Sequence, residues 1–225
     1  MKRQMICNAI SLLAMMLLGT ISAFGGDDVT TNGKDKQDAV ISNILTRTSI
    51  REYQDKAVEK DKVETLLRAG MAAPSAVNRQ PWHFIVLTDK KMLAAIADIT
   101  PNAAMAEKAP LAIVVCGDMT KALVGGGREF WVQDASAATE NILLAAHALG
   151  LGAVWTGTYP SKDRSAKVAE LLKMPDTLIP LNTIVIGYPA ENPAPKDKWN
   201  PQNISYNFYG GKEDGSVSVA QPLCQ

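Results

Sequence analysis

From Glu129 to Leu149 the chain keeps almost no polar face: Ala135, Ala137, Ala138, Ala145, Ala146 and Ala148 surround Ile142, Leu143 and Leu144. A helix that is apolar nearly all round has to be covered on several sides, which predicts a long helix at the centre of the fold or in a subunit interface. Whatever packs on it comes from elsewhere in the chain. His83-Phe84-Ile85-Val86-Leu87-Thr88 and Leu111-Ala112-Ile113-Val114-Val115-Cys116, entered from Pro81 and Pro110, have the length and continuous apolarity of buried strands. Shorter runs at 153–156 and 183–187 add a third and a fourth strand.

Helices are expected between them. Apolar residues recur at helical spacing over 39–45 and over 59–71, where Val63, Leu66, Leu67, Gly70 and Met71 share one face and Pro74 ends the pattern. A short helix places Met92, Leu93 and Ile96 together, and another covers 162–172. The elements do not alternate as βαβ units, so the fold class is α+β, a central mixed or antiparallel sheet flanked by helices. With 225 residues, 47% hydrophobic and 20% charged, the chain has material for one domain. That domain is expected over 38–209. Prolines at 189, 193, 195, 201 and 222 make the last part an extended arm, with residues 210–225 as a C-terminal tail.

Lys2 and Arg3, the apolar run from Ala9 to Leu18 and the small residues of 19–26 have the layout of a signal peptide, which makes the expected product exported, in a bacterium to the periplasm. The run is short for a bilayer span, with a retained anchor as the alternative. Residues 27–37 are polar and read as a flexible leader. Basic and acidic residues balance at 23 each, so no positive field is available for a nucleic acid or, after cleavage, for a membrane surface. Cys116 reads as a small buried hydrophobe, and its separation from Cys224 argues against a disulfide framework. The two histidines, His83 and His147, both stand in apolar contexts, which argues against hydrolytic zinc chemistry, and no metal site is expected.

Four segments carry chemistry. In Arg47-Thr48-Ser49-Ile50-Arg51, alternate residues of an extended chain would set two guanidinium groups and a hydroxyl on one side, a face suited to an anion; a solvated charged turn is the commoner meaning of such a run. Ala73-Pro74-Ser75-Ala76-Val77-Asn78-Arg79-Gln80-Pro81-Trp82 is a stiff polar loop able to read a heteroaromatic edge, or an ordinary helix-to-strand turn. The run from Ala153 to Pro160 leaves a strand through Gly157, where a backbone can approach a flat ligand without Cβ interference. Pro195-Lys196-Asp197-Lys198-Trp199-Asn200-Pro201 holds late basic residues between prolines and by itself is a polar linker.

Taken together these segments resemble the FMN-dependent nitroreductase family over about residues 38–203. The resemblance rests on an Arg-x-Ser-x-Arg segment, a Pro-Ser-x-x-Asn-x-Gln-Pro-Trp loop, an Ala/Leu-rich helix ending Leu-Gly-Leu and a late Lys-x-Lys between prolines. It implies a homodimer with FMN at the subunit interface and no catalytic side chain, the chemistry being the flavin's. Arg47 and Ser49 would contact the FMN phosphate with Thr48 beside them, Arg51 would lie by the pyrimidine side, and Lys196 and Lys198 would approach the phosphate. The partner subunit's Pro74, Ser75 and Asn78 would line the flavin, and the Gly157 backbone would lie near N5. Lys198 stands where the family usually has arginine, and the segment 100–109 is shorter and less polar than in the larger members. The implied activity passes electrons from NADH or NADPH through flavin N5 to a nitroaromatic, quinone or similar acceptor by a ping-pong mechanism. Gly125-Gly126-Gly127 is no dinucleotide fingerprint, and none is needed if nicotinamide stacks on the flavin. A flavin carrier without turnover, and dehalogenating or flavin-destroying enzymes of the same fold, are the alternatives.

Overall fold

The computed structural model describes residues 27–213. The expected signal peptide, Cys7, Cys224 and most of the tail lie outside the described residues. Contacts divide the chain into two units, residues 1–42 and 43–225, and the second holds the sheet and all the chemistry discussed below. Helix α1 runs from Asp27 to Thr46, so residues 27–37, expected as a flexible leader, are helical. Elongating an existing helix is far easier than nucleating one, and the apolar pattern at 39–45 marks where this helix is specified.

In the second unit follow α2 (Lys60–Met71), β1 (Trp82–Leu87), α3 (Lys90–Ile99), β2 (Leu111–Asp118), α4 (Phe130–Ala148), β3 (Gly152–Gly157), α5 (Lys162–Leu171) and β4 (Leu178–Gly187). The strands form one sheet in the order β1-β2-β4-β3, every neighbouring pair antiparallel. The expected α+β architecture is therefore present in its antiparallel form. β4 begins at Leu178, five residues before the apolar run that marked it. Pro180 and Asn182 hid its first half, and a bulge at Val115/Cys116 lets Pro180 face Cys116 in the ladder.

Strand alternation sorts the side chains onto two faces. Leu111, Ile113 and Val115 of β2 join Ile184 and Ile186 of β4 beneath α4 and α2, with Trp131, Ala135, Ile142 and Leu66 in the same cluster. Ala112, Val114, Cys116 and Val185 point the other way, against Leu93 and Ile96 of α3, Val168 of α5 and Ala103 and Ala106 of a 3₁₀ segment at Pro101–Lys108. The alanine-rich helix α4 thus lies at the centre of this unit, packed on the sheet and α2.

Candidate functional site

Past the end of α1 the chain enters an extended strap. Ile50 N–H donates to the Ala153 carbonyl (3.1 Å) in a parallel bridge beside the start of β3. The Glu52 carbonyl accepts from Ala190 N–H (2.9 Å), and Gln54 donates from its backbone to Tyr188 (2.9 Å) and from Nε2 to Pro189 (2.8 Å). Ile50 is buried and sits directly over Gly152, where a Cβ would come within 2.6 Å of it. The strap is therefore stretched between the outer edge of β3 and the chain leaving β4, the conformation that puts alternate side chains on one side.

That side faces a cavity of about 1000 Å³ lined by Arg47, Thr48, Ser49, Arg51, Lys196 and Lys198. Two sequence segments some 150 positions apart thus meet, and six of the ten expected cofactor residues share one wall. Three acidic residues also line it, each engaged locally. Glu140 lies 3.5 Å from Arg47 Nε, Asp197 accepts from Trp199 N–H (2.9 Å), and Glu191 accepts from the backbone N–H groups of Arg51 and Glu52. Arg51, Lys196 and Lys198 consequently have no carboxylate partner among the described residues. Unneutralised cations beside two hydroxyls make an anion site. Behind the strap, burial pushes the Tyr53 phenol above its ordinary range, Arg51 opposing and Glu191 adding to the shift. Its hydroxyl lies 2.6 Å from the Ile50 carbonyl and 3.0 Å from that of Val185, so Tyr53 stays neutral and pins the strap to β4.

Pro74, Ser75, Asn78 and Gly157 do not line this cavity. The loop holding the first three is shaped by strain: Val77, Asn78 and Gln80 have φ of 51°, 53° and 50°, and Val77, a β-branched residue for which this is costly, is 81% exposed. Ser75 Oγ accepts from Gln80 N–H (2.9 Å), and the buried Asp134 of α4 accepts from Ala76 N–H (2.8 Å). Asn78 N–H donates to the Ser75 carbonyl (2.9 Å), and its Oδ1 accepts from Gln80 Nε2 (3.0 Å). Gly157 ends β3 half-buried, with open space where a Cβ would stand and its carbonyl held by Arg164 Nη1 at 2.7 Å. Nearby the buried oxygens of Thr158, Asn182 (Oδ1) and Thr183 have no partner within the described chain, so this end of the sheet is polar inside.

A family model described as the nitroreductase family matches residues 44–188, well over half of the chain. The chain belongs to the nitroreductase family. A Methanothermobacter thermautotrophicus protein, provisionally named as a NADH dehydrogenase/NAD(P)H nitroreductase, is 47% identical over 176 residues, which are 78% of this chain and 91% of that one. A solved structure from Parabacteroides distasonis, with the same provisional name, superimposes with a TM-score of 0.72 at 47% identity over 76% of this chain and 98% of its own. A structure described as an FMN-dependent nitroreductase, from Clostridium difficile, gives 0.69 at 31% identity over 75% and 99%.

In this member of the family, four residues at the site had no distinctive sequence signal. Glu140, Asp134 and Arg164 sit within helical patterns, and Glu191 is one acid in a polar run. Only the strap's geometry gives Glu191 its task of tethering Arg51. His147 is structural: its Nε2 lies 3.0 Å from Thr46 Oγ1, tying the end of α1 to α4 alongside the bond from Asn43 Nδ2 to the Leu144 carbonyl (3.0 Å).

Proposed function

We propose that the chain is an FMN-dependent NAD(P)H oxidoreductase acting as a homodimer on nitroaromatic, quinone or similar electron-poor acceptors. The observation that carries this is the meeting of Arg47, Ser49 and Arg51 with Lys196 and Lys198 around one cavity. Its donor set suits a phosphate: guanidinium forks, hydroxyls and free ammonium groups, with the local carboxylates already engaged. FMN is the cofactor, and when bound it supplies the redox chemistry, taking two electrons from the nicotinamide and passing them to the acceptor.

The protein's part is to bind, orient and tune. Arg47, Thr48, Ser49, Lys196 and Lys198 hold the phosphate, and Arg51, its backbone fixed by Glu191, holds a positive charge toward the pyrimidine side. Gly157 presents bare backbone to the ring. The partner subunit's Pro74, Ser75 and Asn78 complete the enclosure in this reading. None of the three lines the phosphate cavity of its own chain, which agrees with a site shared by two copies.

The decisive measurement is whether the purified protein is yellow and releases one FMN per chain on denaturation, with NADH or NADPH bleaching the colour and a nitroaromatic or quinone restoring it. Bound FMN that no nicotinamide can bleach would make the chain a carrier instead. Export rests on the sequence layout of residues 1–26. It is tested by the N-terminal sequence of the protein recovered from the periplasmic fraction.

A further inference from the structure

Arg164 on α5 is half-buried, and its side chain has one partner among the described residues, the Gly157 carbonyl at 2.7 Å. Carboxylates are the usual partners of a guanidinium withdrawn from water, and none approaches here. The direction of that carbonyl follows from the ladder. β3 is an edge strand, Gly157 faces Asn182 of β4, and the next residue, Thr158, donates its N–H to Leu181 at 3.0 Å. Antiparallel pairs alternate between bonded and non-bonded, so at Gly157 both N–H and C=O point away from β4, out of the free edge. Ala153, four residues earlier and in the same phase, confirms this by offering its carbonyl outward to Ile50 N–H. The strap bonds the edge at Ala153, and among the described residues only Arg164 bonds it at Gly157.

Glycine has no Cβ to restrict its own φ and ψ, and open space lies where a Cβ would stand on this one. Some other group has to hold the peptide still. Resting on the reading that FMN lies against Gly157, we propose that Arg164 is a positioning residue, clamping the Gly157 carbonyl so that the Gly157 N–H stays aimed outward at the flavin edge. The charge-assisted bond does for this glycine what a side chain does elsewhere, without placing an atom between backbone and ring. Preorganised backbone donors lose much of their effect when free to swing, since a displacement near 1 Å costs about a hundredfold in rate.

The test uses the full-length protein loaded with FMN, carrying Arg164→Met and, separately, Arg164→Lys, labelled with ¹⁵N-glycine. In the wild type, FMN moves the Gly157 amide proton downfield. In Arg164→Met that shift falls by about half or more, kcat with NADPH and a quinone falls about tenfold or more and KM stays within about twofold, while Arg164→Lys restores most of both. An Arg164→Met protein with the wild-type Gly157 shift and kcat would overturn the proposal. If Arg164→Met does not fold, Arg164→Ala takes its place: a lower melting temperature with the wild-type Gly157 shift and kcat makes the arginine structural only. Wild-type protein that takes up FMN without moving Gly157 removes the clamp's purpose, and protein that takes up no FMN sinks the cofactor reading itself.

Discussion

Lys198 stands where the resemblance leads one to expect arginine, and its effect is local and measurable. A flexible ammonium donates as a point charge where a guanidinium would grip two phosphate oxygens. Lys198→Arg should tighten FMN binding about three- to tenfold and Lys198→Ala should weaken it by a similar factor, read by quenching of FMN fluorescence on titration. Arg51→Ala removes the charge expected to favour the reduced anionic ring, so the midpoint potential of bound FMN should fall; an unchanged potential would withdraw that role from Arg51. At the end of β2, Asp118 gives a pH signature. Partial burial raises its carboxyl, but bonds from the Thr120 hydroxyl (2.6 Å) and amide (3.0 Å), with Lys121 at 3.3 Å, outweigh this and hold it below the ordinary value of 3.8. A depressed folded-state value means the stabilisation is present above the unfolded value and is lost as pH falls through the folded one. Thr120→Ala should therefore raise the Asp118 titration seen by carbon NMR, so that the stabilisation is lost at a higher pH on acidification. Burial pushes the Cys116 thiol up to about 12, so it should resist alkylation in the native protein and react only in denaturant.

The strap and the loop after α2 are the elements on which the site depends, and they are held by different means. The strap is held by main-chain bonds and by Ile50 seated on Gly152. Gly152→Ala would push a methyl into Ile50, and a destabilisation of about 1–3 kcal/mol is expected from overpacking, measured by urea unfolding. Because the displaced residue lies between Ser49 and Arg51, FMN affinity should fall with stability. In the loop, three positive φ values are held in part by one bond from Ala76 N–H to the buried Asp134. Asp134→Ala should leave the helix intact and speed proteolysis within 74–81. A loop that resisted protease as in the wild type would show that the strain is held by the two prolines and Gln80.

For the whole molecule, no residue of the strained loop lines the anion cavity of its own chain, and in the proposed homodimer a second copy would bring its loop to that cavity. The prediction at this scale is a dimer whose dissociation and FMN loss are linked: dilution through the dimer dissociation constant should release flavin in step, followed by sedimentation and by FMN fluorescence. A flavin-bearing monomer would contradict it. Among the described residues no helix is long and apolar enough to cross a membrane.

Periodicity located α2 to α5, the second half of α1 and three strands closely, since burial imposes a spacing of 3.6 or 2 on any sequence that folds this way. The four chemical segments, too, were legible as motifs, and their joint order was enough to suggest the family. Half of β4 was not, because Pro180 and Asn182 break an apolar pattern where a bulge and the polar end of the sheet accept them. The partners of the site, Glu191 to the strap backbone, Asp134 to the loop and Arg164 to Gly157, were invisible in the sequence. Each is a single polar bond between residues distant along the chain. Local sequence carries no record of which distant groups the packed sheet will bring within 3 Å, and there the tertiary structure alone decided.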